Sequence, residues 1–212
     1  MLTYEQSKSM SEDSLISAVG LDYSKLRHLL LEGNWKAADE ETRILMLTAA
    51  GRQQEGWLDR KSLQQFPSTD LCTIDRLWLK YSIKRFGFSV QQRIWENLIK
   101  STLASRETSE KQRTSDKIDR FGELLGLRVN GNWLRINELT FDISAPVGHL
   151  PSTLFAVPCG DGEPVIGRWC SSCCFGELFC GTLWAWGISD FAPRVIKCDL
   201  PMDTEIMEEF TL

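Results

Sequence analysis

A chain of 212 residues, 42% hydrophobic and 25% charged, has the length and composition for one or two modest globular domains with a real hydrophobic core. Its net charge of -5 excludes a nucleic-acid surface of the usual kind, which needs a clustered excess of Lys and Arg to neutralise phosphates. A protein partner or a small ligand suits it better.

Residues 1–20 carry Glu5, Lys8, Glu12 and Asp13 among serines. They have neither the apolar core of a signal peptide nor the basic, acid-poor pattern of a transit peptide, and read as a mobile tail. Leu26, Leu29 and Leu30 then line a short helix that Gly33-Asn34 stops, and Trp35, Ala38, Leu45 and Met46 line a second helix running back. Such a hairpin also looks like one tetratricopeptide unit, which keeps a protein-interaction scaffold in play, although no second copy follows at that period. The GRQQEG stretch, 51–56, has glycine at both ends and no apolar residue, and reads as an exposed loop. Asp59 caps a short helix that ends before Phe66-Pro67, and another starts near Thr69 or Asp70.

Trp78 and Tyr81 close the apolar face of that helix. Phe86-Gly87-Phe88 interrupts it, and Val90, Ile94, Trp95 and Leu98 begin a new face, so the stretch reads as helix, aromatic corner, helix, with Ser89 as the expected N-cap. The polar run at 101–115 reads as an internal linker, and Asp116 as the cap of a helix faced by Ile118, Phe121, Leu124 and Leu125 and ended by Gly126. Residues 129–139 match no single template, and the proline and glycine of LTFDISAPVGHLP make a loop. His28 reads as an ordinary helix residue and His149 as structural rather than as a metal ligand, since magnesium prefers oxygen.

Residues 168–186, RWCSSCCFGELFCGTLWAW, hold four cysteines and three tryptophans. Cys170, Cys173, Cys174, Cys180 and Cys198 offer one C-x-x-C and no second well-spaced pair, so small buried residues are the favoured reading over a metal centre. Disulfides are not expected in a reducing compartment. Glu177 and the glycines Gly176, Gly181 and Gly187 argue against a bilayer span between Arg168 and Asp190. Packing on the helical domain or contact with a partner or a membrane surface fits better. No nucleophile-base set and no phosphate-cradling glycine loop is present.

Four blocks in order, ADEETRILMLTAAG, GWLDRKSLQQFPSTDLCTIDRLW, RFGFSVQQRIW and LTFDISAPVGHLP, make residues 21–151 resemble the genomes-uncoupled-four family of tetrapyrrole-binding proteins. The resemblance implies an all-α fold, a compact bundle of short helices with two long ligand-contacting loops. It implies a tail at 1–20, a tetrapyrrole-binding domain at 21–155 and a Cys/Trp-rich extension at 156–212. It further implies a non-enzymatic protein with no covalently bound cofactor, whose ligand is protoporphyrin IX or Mg-protoporphyrin IX. Such a protein stimulates magnesium chelatase through that enzyme's porphyrin-binding large subunit, in a photosynthetic bacterium's cytoplasm or the plastid stroma, with peripheral membrane association as a further reading. By the same resemblance Arg43, Leu63 and Phe141 contact the ligand, Phe141 standing where many relatives carry tryptophan and Leu63 where some carry valine. Trp57, Arg60 and Leu150 flank the same loops. The alternative is a scaffold or sensory module that kept the fold and binds haem, a bilin or no ligand.

Overall fold

A computed structural model of the protein describes residues 14–103, 110–152, 156–157 and 165–166. Its helices are α1 (Ser24–Leu31), α2 (Trp35–Ala49), α3 (Arg60–Gln65), α4 (Ser68–Tyr81), α5 (Phe88–Leu103) and α6 (Glu110–Leu124). The all-α reading is correct, strands being limited to two pairs of two residues each among the described residues.

The first hairpin folds as its pattern requires. Gly33 takes φ 69°, a left-handed conformation that costs glycine nothing, and the Asn34 side chain then accepts the Ala37 N–H to cap α2. Leu26, Leu30, Trp35, Ala38 and Met46 bury against Leu71, Ile74 and Trp78 of α4 and against Phe86. Trp35 and Phe86 meet edge to face with centroids 5.5 Å apart, and Trp78 lies 6.1 Å from Trp35. The one polar atom of the Trp78 ring is satisfied inside this core, its Nε1 donating to Thr42 Oγ1 at 2.9 Å. A second core joins Trp95 of α5 to Ile118 and Phe121 of α6 and to Leu125, Leu127 and Leu139. Trp95 and Phe121 stack edge to face at 5.2 Å.

Three local expectations are corrected, and a segment that matched no template takes a definite form. The ordered part begins before Leu21: the Ser17 hydroxyl, the Ala18 N–H and the Tyr23 hydroxyl all donate to the buried carboxylate of Asp70 on α4, and Thr73 donates to the Ile16 carbonyl. Burial and that carboxylate push the Tyr23 hydroxyl well above the ordinary range. Ser89 is not the cap of α5. Asp75, reaching from α4, accepts the Ser89 N–H at 3.0 Å, and Gly87 is required beside it because a Cβ there would stand 2.9 Å from the Asp75 carboxylate oxygen. Asp116 lies inside α6, which starts at Glu110 and so takes up part of the expected linker. The segment 129–139, with Arg128 just before it, forms the antiparallel hairpin β1 (Arg128–Val129) and β2 (Asn132–Trp133). Its turn, Asn130-Gly131, has positive φ at both residues, the pairing that a type I′ turn demands. A 3-10 turn follows at Ile136–Glu138.

Strands β3 (Ala156–Val157) and β4 (Val165–Ile166) form the second antiparallel pair. The Cys/Trp-rich run at 168–186 lies outside the described residues, as do Cys159 and Cys198. Cys72 on α4 is disulfide-bonded, against the general expectation that disulfides are absent. Among the described residues no helix is long and apolar enough to cross a membrane, and no group of three or more His, Cys, Asp or Glu is arranged to hold a metal ion.

Candidate functional site

The loop at 140–152 is held from α2, from the α4–α5 corner, from α5 and from the end of α6. At the α4–α5 corner the Gly87 N–H donates to the Leu150 carbonyl (3.0 Å), the Gly148 N–H to the Arg85 carbonyl (2.8 Å) and the Arg85 guanidinium to the Ala145 carbonyl (2.9 Å). From α5, the Gln91 amide donates to the carbonyls of both Gly148 and Pro151, each at 2.9 Å. From α2, the buried Asp39 carboxylate accepts the Ser152 N–H and hydroxyl, both at 2.7 Å. Gly148 passes so close to α5 and to the residue after α6 that a Cβ would meet Ile94 and Leu125 within 3 Å.

His149 completes the clamp. Its Nδ1 lies 2.7 Å from the Leu125 carbonyl, which can only accept, and its Nε2 receives the Thr140 N–H at 3.2 Å. Both contacts are satisfied only by the neutral ring with its proton on Nδ1. Burial holds the imidazole pKa below its usual value. The structural reading of His149 is therefore what its geometry shows.

Phe141 is half-buried and packs against both cores, which makes it the side chain at their seam. The Lys36 ammonium sits 6.0 Å from the centre of its ring. Lys36, Glu40 and Arg43 follow one another at spacings of four and three, so they share one face of α2. Arg43 is already engaged: its Nε and Nη2 donate to the Glu40 carboxylate at 2.6–3.2 Å, and that pairing raises its pKa. The expected pair, Arg43 and Phe141, thus flanks Lys36, which sequence reasoning passed over. Its signal was there to find, seven residues before Arg43 on the same helix.

The other loop is organised by Arg52. Its guanidinium bonds to Glu55 at 3.1 Å, reaches Asp59 at 3.5 Å and lies over the Trp57 ring at 5.2 Å from its centre. Trp57 is half-buried under that cation. Asp59 caps α3 as expected, accepting the Ser62 N–H at 2.7 Å, and this bond is the main cause of its lowered pKa. Leu63 is only 7% exposed and Leu150 is fully buried, both within the first core. They support the loops from beneath rather than offering free surface. Arg60 is the first residue of α3, and its side chain lies outside the described part.

A small all-α domain with two clamped loops and an aromatic-cation seam is the class that this fold and site define. The chain belongs to the GUN4-like family, whose model matches residues 16–158. It is 36% identical over 140 residues to a Ycf53-like protein of Synechocystis, covering 65% of this chain and 53% of that one. It is 37% identical over 75 residues to a chloroplastic tetrapyrrole-binding protein of Arabidopsis thaliana, covering 34% of this chain and 28% of that one. The structure of GUN4 from Chlamydomonas reinhardtii is similar, with a TM-score of 0.53 and 28% identity over 69% of this chain and 92% of that one. The chain spans about half the length of the first curated relatives it matches.

Proposed function

We propose that this protein binds a tetrapyrrole, protoporphyrin IX or Mg-protoporphyrin IX, without transforming it, and in that state stimulates magnesium chelatase by docking on its porphyrin-binding subunit. It would act where chlorophyll is made, in a photosynthetic bacterium or a plastid. Family membership supports the ligand class, and a relative in that family is named for tetrapyrrole binding.

The single observation that carries the reading is the position of Phe141. A porphyrin is a wide apolar disc with propionates on one edge, so its site must offer flat apolar contact beside a cation. Phe141 meets the first need on a loop whose backbone is held in place, with Ile143, 38% exposed, two residues along it. Arg43 meets the second, with the exposed Ile44 beside it. A held loop matters because affinity is not then lost to ordering it. Trp57 and Arg60 flank the second loop in this reading.

Adding protoporphyrin IX to the pure protein is expected to shift the porphyrin's main absorption band and quench tryptophan emission with saturation. With the magnesium complex bound, the rate of magnesium insertion by purified chelatase should rise. If neither porphyrin, nor haem, nor a bilin binds, the protein is a scaffold that kept the fold.

A further inference from the structure

We propose that Lys36 is a second cation of the same site, pairing with one of two neighbouring carboxylates on the ligand while Arg43 takes the other. The inference deepens the tetrapyrrole reading and rests on it. Three observations carry it. First, Lys36 ion-pairs with no carboxylate among the described residues, and its recorded contact is with the ring of Phe141 at 6.0 Å. Second, Arg43 is neutralised by Glu40, so among the described residues Lys36 is the one charge of the three on that helix face with no opposite partner. Third, Lys36 and Arg43 stand seven residues apart on α2, about 10 Å along its axis, a separation over which two long side chains converge on the edge of one flat molecule.

The ammonium is also placed where a ring-bound ligand must bring its rim. A flat ligand resting against Phe141 has its edge beside Lys36, and an ammonium that leaves the ring face for a carboxylate exchanges a weak attraction for a stronger charge-assisted bond. Selectivity follows: ligands with two adjacent carboxylates are favoured over those with one or none. Arg43 must first release Glu40, so the first carboxylate to engage does so at Lys36.

The test is a thermodynamic cycle using protoporphyrin IX and its mono- and dimethyl esters, with the wild type, Lys36→Gln and Lys36→Arg, each checked for an unchanged melting temperature. For the free acid, Lys36→Gln should weaken binding roughly tenfold, the order expected for losing a hydrogen bond to a charged group, and Lys36→Arg should restore most of it. For the dimethyl ester the two variants and the wild type should bind alike, because the carboxylate that Lys36 recognises is gone. A Lys36→Gln loss of the same size for acid and ester would show that the lysine only positions Phe141, and would overturn the proposal. So would free-acid binding that Lys36→Gln leaves unchanged, with the tetrapyrrole reading intact. A wild type that binds no porphyrin at all would overturn both.

Discussion

At the scale of single residues, the pairing of Arg43 with Glu40 decides how much that arginine can give to a ligand. An uncommitted guanidinium would contribute about 1.5 to 3 kcal/mol through a charge-assisted bond. Arg43 has to break an existing pair first, so Arg43→Ala should cost only about 1 kcal/mol of porphyrin affinity, roughly fivefold, with melting temperature nearly constant because an exposed pair of this kind contributes little to the fold. Glu40→Gln should move affinity the other way by a similar factor, since it frees the guanidinium. Equal affinities for both variants and the wild type, measured by fluorescence titration, would remove Arg43 from the site. Phe141→Ala is expected to lower affinity and also to cost about 1 to 2 kcal/mol of stability, less than the 3 to 5 of a wholly buried phenylalanine, because the ring is only half-buried at the seam. Leu63→Ala, at a buried position, should cost about 2 to 5 kcal/mol and reveal its role as support.

At the scale of elements, the α4–α5 corner holds a titratable cap. Asp75 is fully buried, and burial pushes its pKa up to about 6 even though it accepts the Ser89 amide. A carboxyl group with a raised folded-state pKa binds its proton more tightly when folded, so its contribution is most favourable below pH 4 and is lost as pH rises through about 6. The loss is about 3 kcal/mol, two pKa units. Urea midpoints at pH 4.5 to 7.5 should therefore fall more steeply with rising pH in the wild type than in Asp75→Asn. The lowered carboxylates Asp22, Asp59 and Asp142 titrate below that window. Identical slopes would mean that Asp75 stays ionised throughout. Beside the same corner Ile83 has φ 54° and is 80% exposed, a left-handed conformation that costs a branched residue about 1 to 2 kcal/mol. Ile83→Asn removes no packing and should raise the melting temperature by several degrees.

The corner was legible in the sequence because the apolar face closed by Trp78 and Tyr81 is interrupted at Phe86-Gly87-Phe88 before Val90, Ile94, Trp95 and Leu98 begin another. Its cap was not, because Asp75 and Ser89 are brought together by the fold and not by adjacency. Distance hid the Asp70 anchor too, whose donors lie 47 to 53 residues away. The first turns of α6 were missed for another reason: residues 110–116 carry no apolar residue, so a reading by hydrophobic period sees nothing, while Glu, Lys, Gln and Arg are all good helix formers. Asn130-Gly131 was readable as a hairpin turn. Within the site, Arg43, Leu63 and Phe141 came from likeness to a family, which marked positions without saying which are surface and which are buried.

At the scale of the whole molecule, three of the four blocks that mark the family are one mechanical unit. Asp39 in the first, Arg85, Gly87 and Gln91 in the third, and Ala145, Gly148, Leu150 and Pro151 in the last bond to one another or to adjoining Ser152. Most of the signature is thus architecture, and its exposed members are few. Asp39→Ala, which leaves the Ser152 N–H and hydroxyl without that acceptor, should cost about 3 kcal/mol. It should also speed amide exchange at Gly148 and His149 while α1 stays protected. Uniform exchange across the domain would show that the loop and the bundle open together.

The Asp39–Ser152 bond also gives the protein a timetable. The two residues are 113 apart in the chain, and a ribosome adding about 5 to 20 residues per second needs roughly 6 to 23 seconds to travel between them. During that interval α2 exists with its buried carboxylate unclosed, while α1 and α4 can already pack against it. In the newborn chain α1, α2 and α4 can therefore meet before the loop adds Ala145 and Leu150 to the same core. Any ligand surface that depends on Phe141 appears only at the end of that wait, when the last block leaves the ribosome and the ring of contacts shuts.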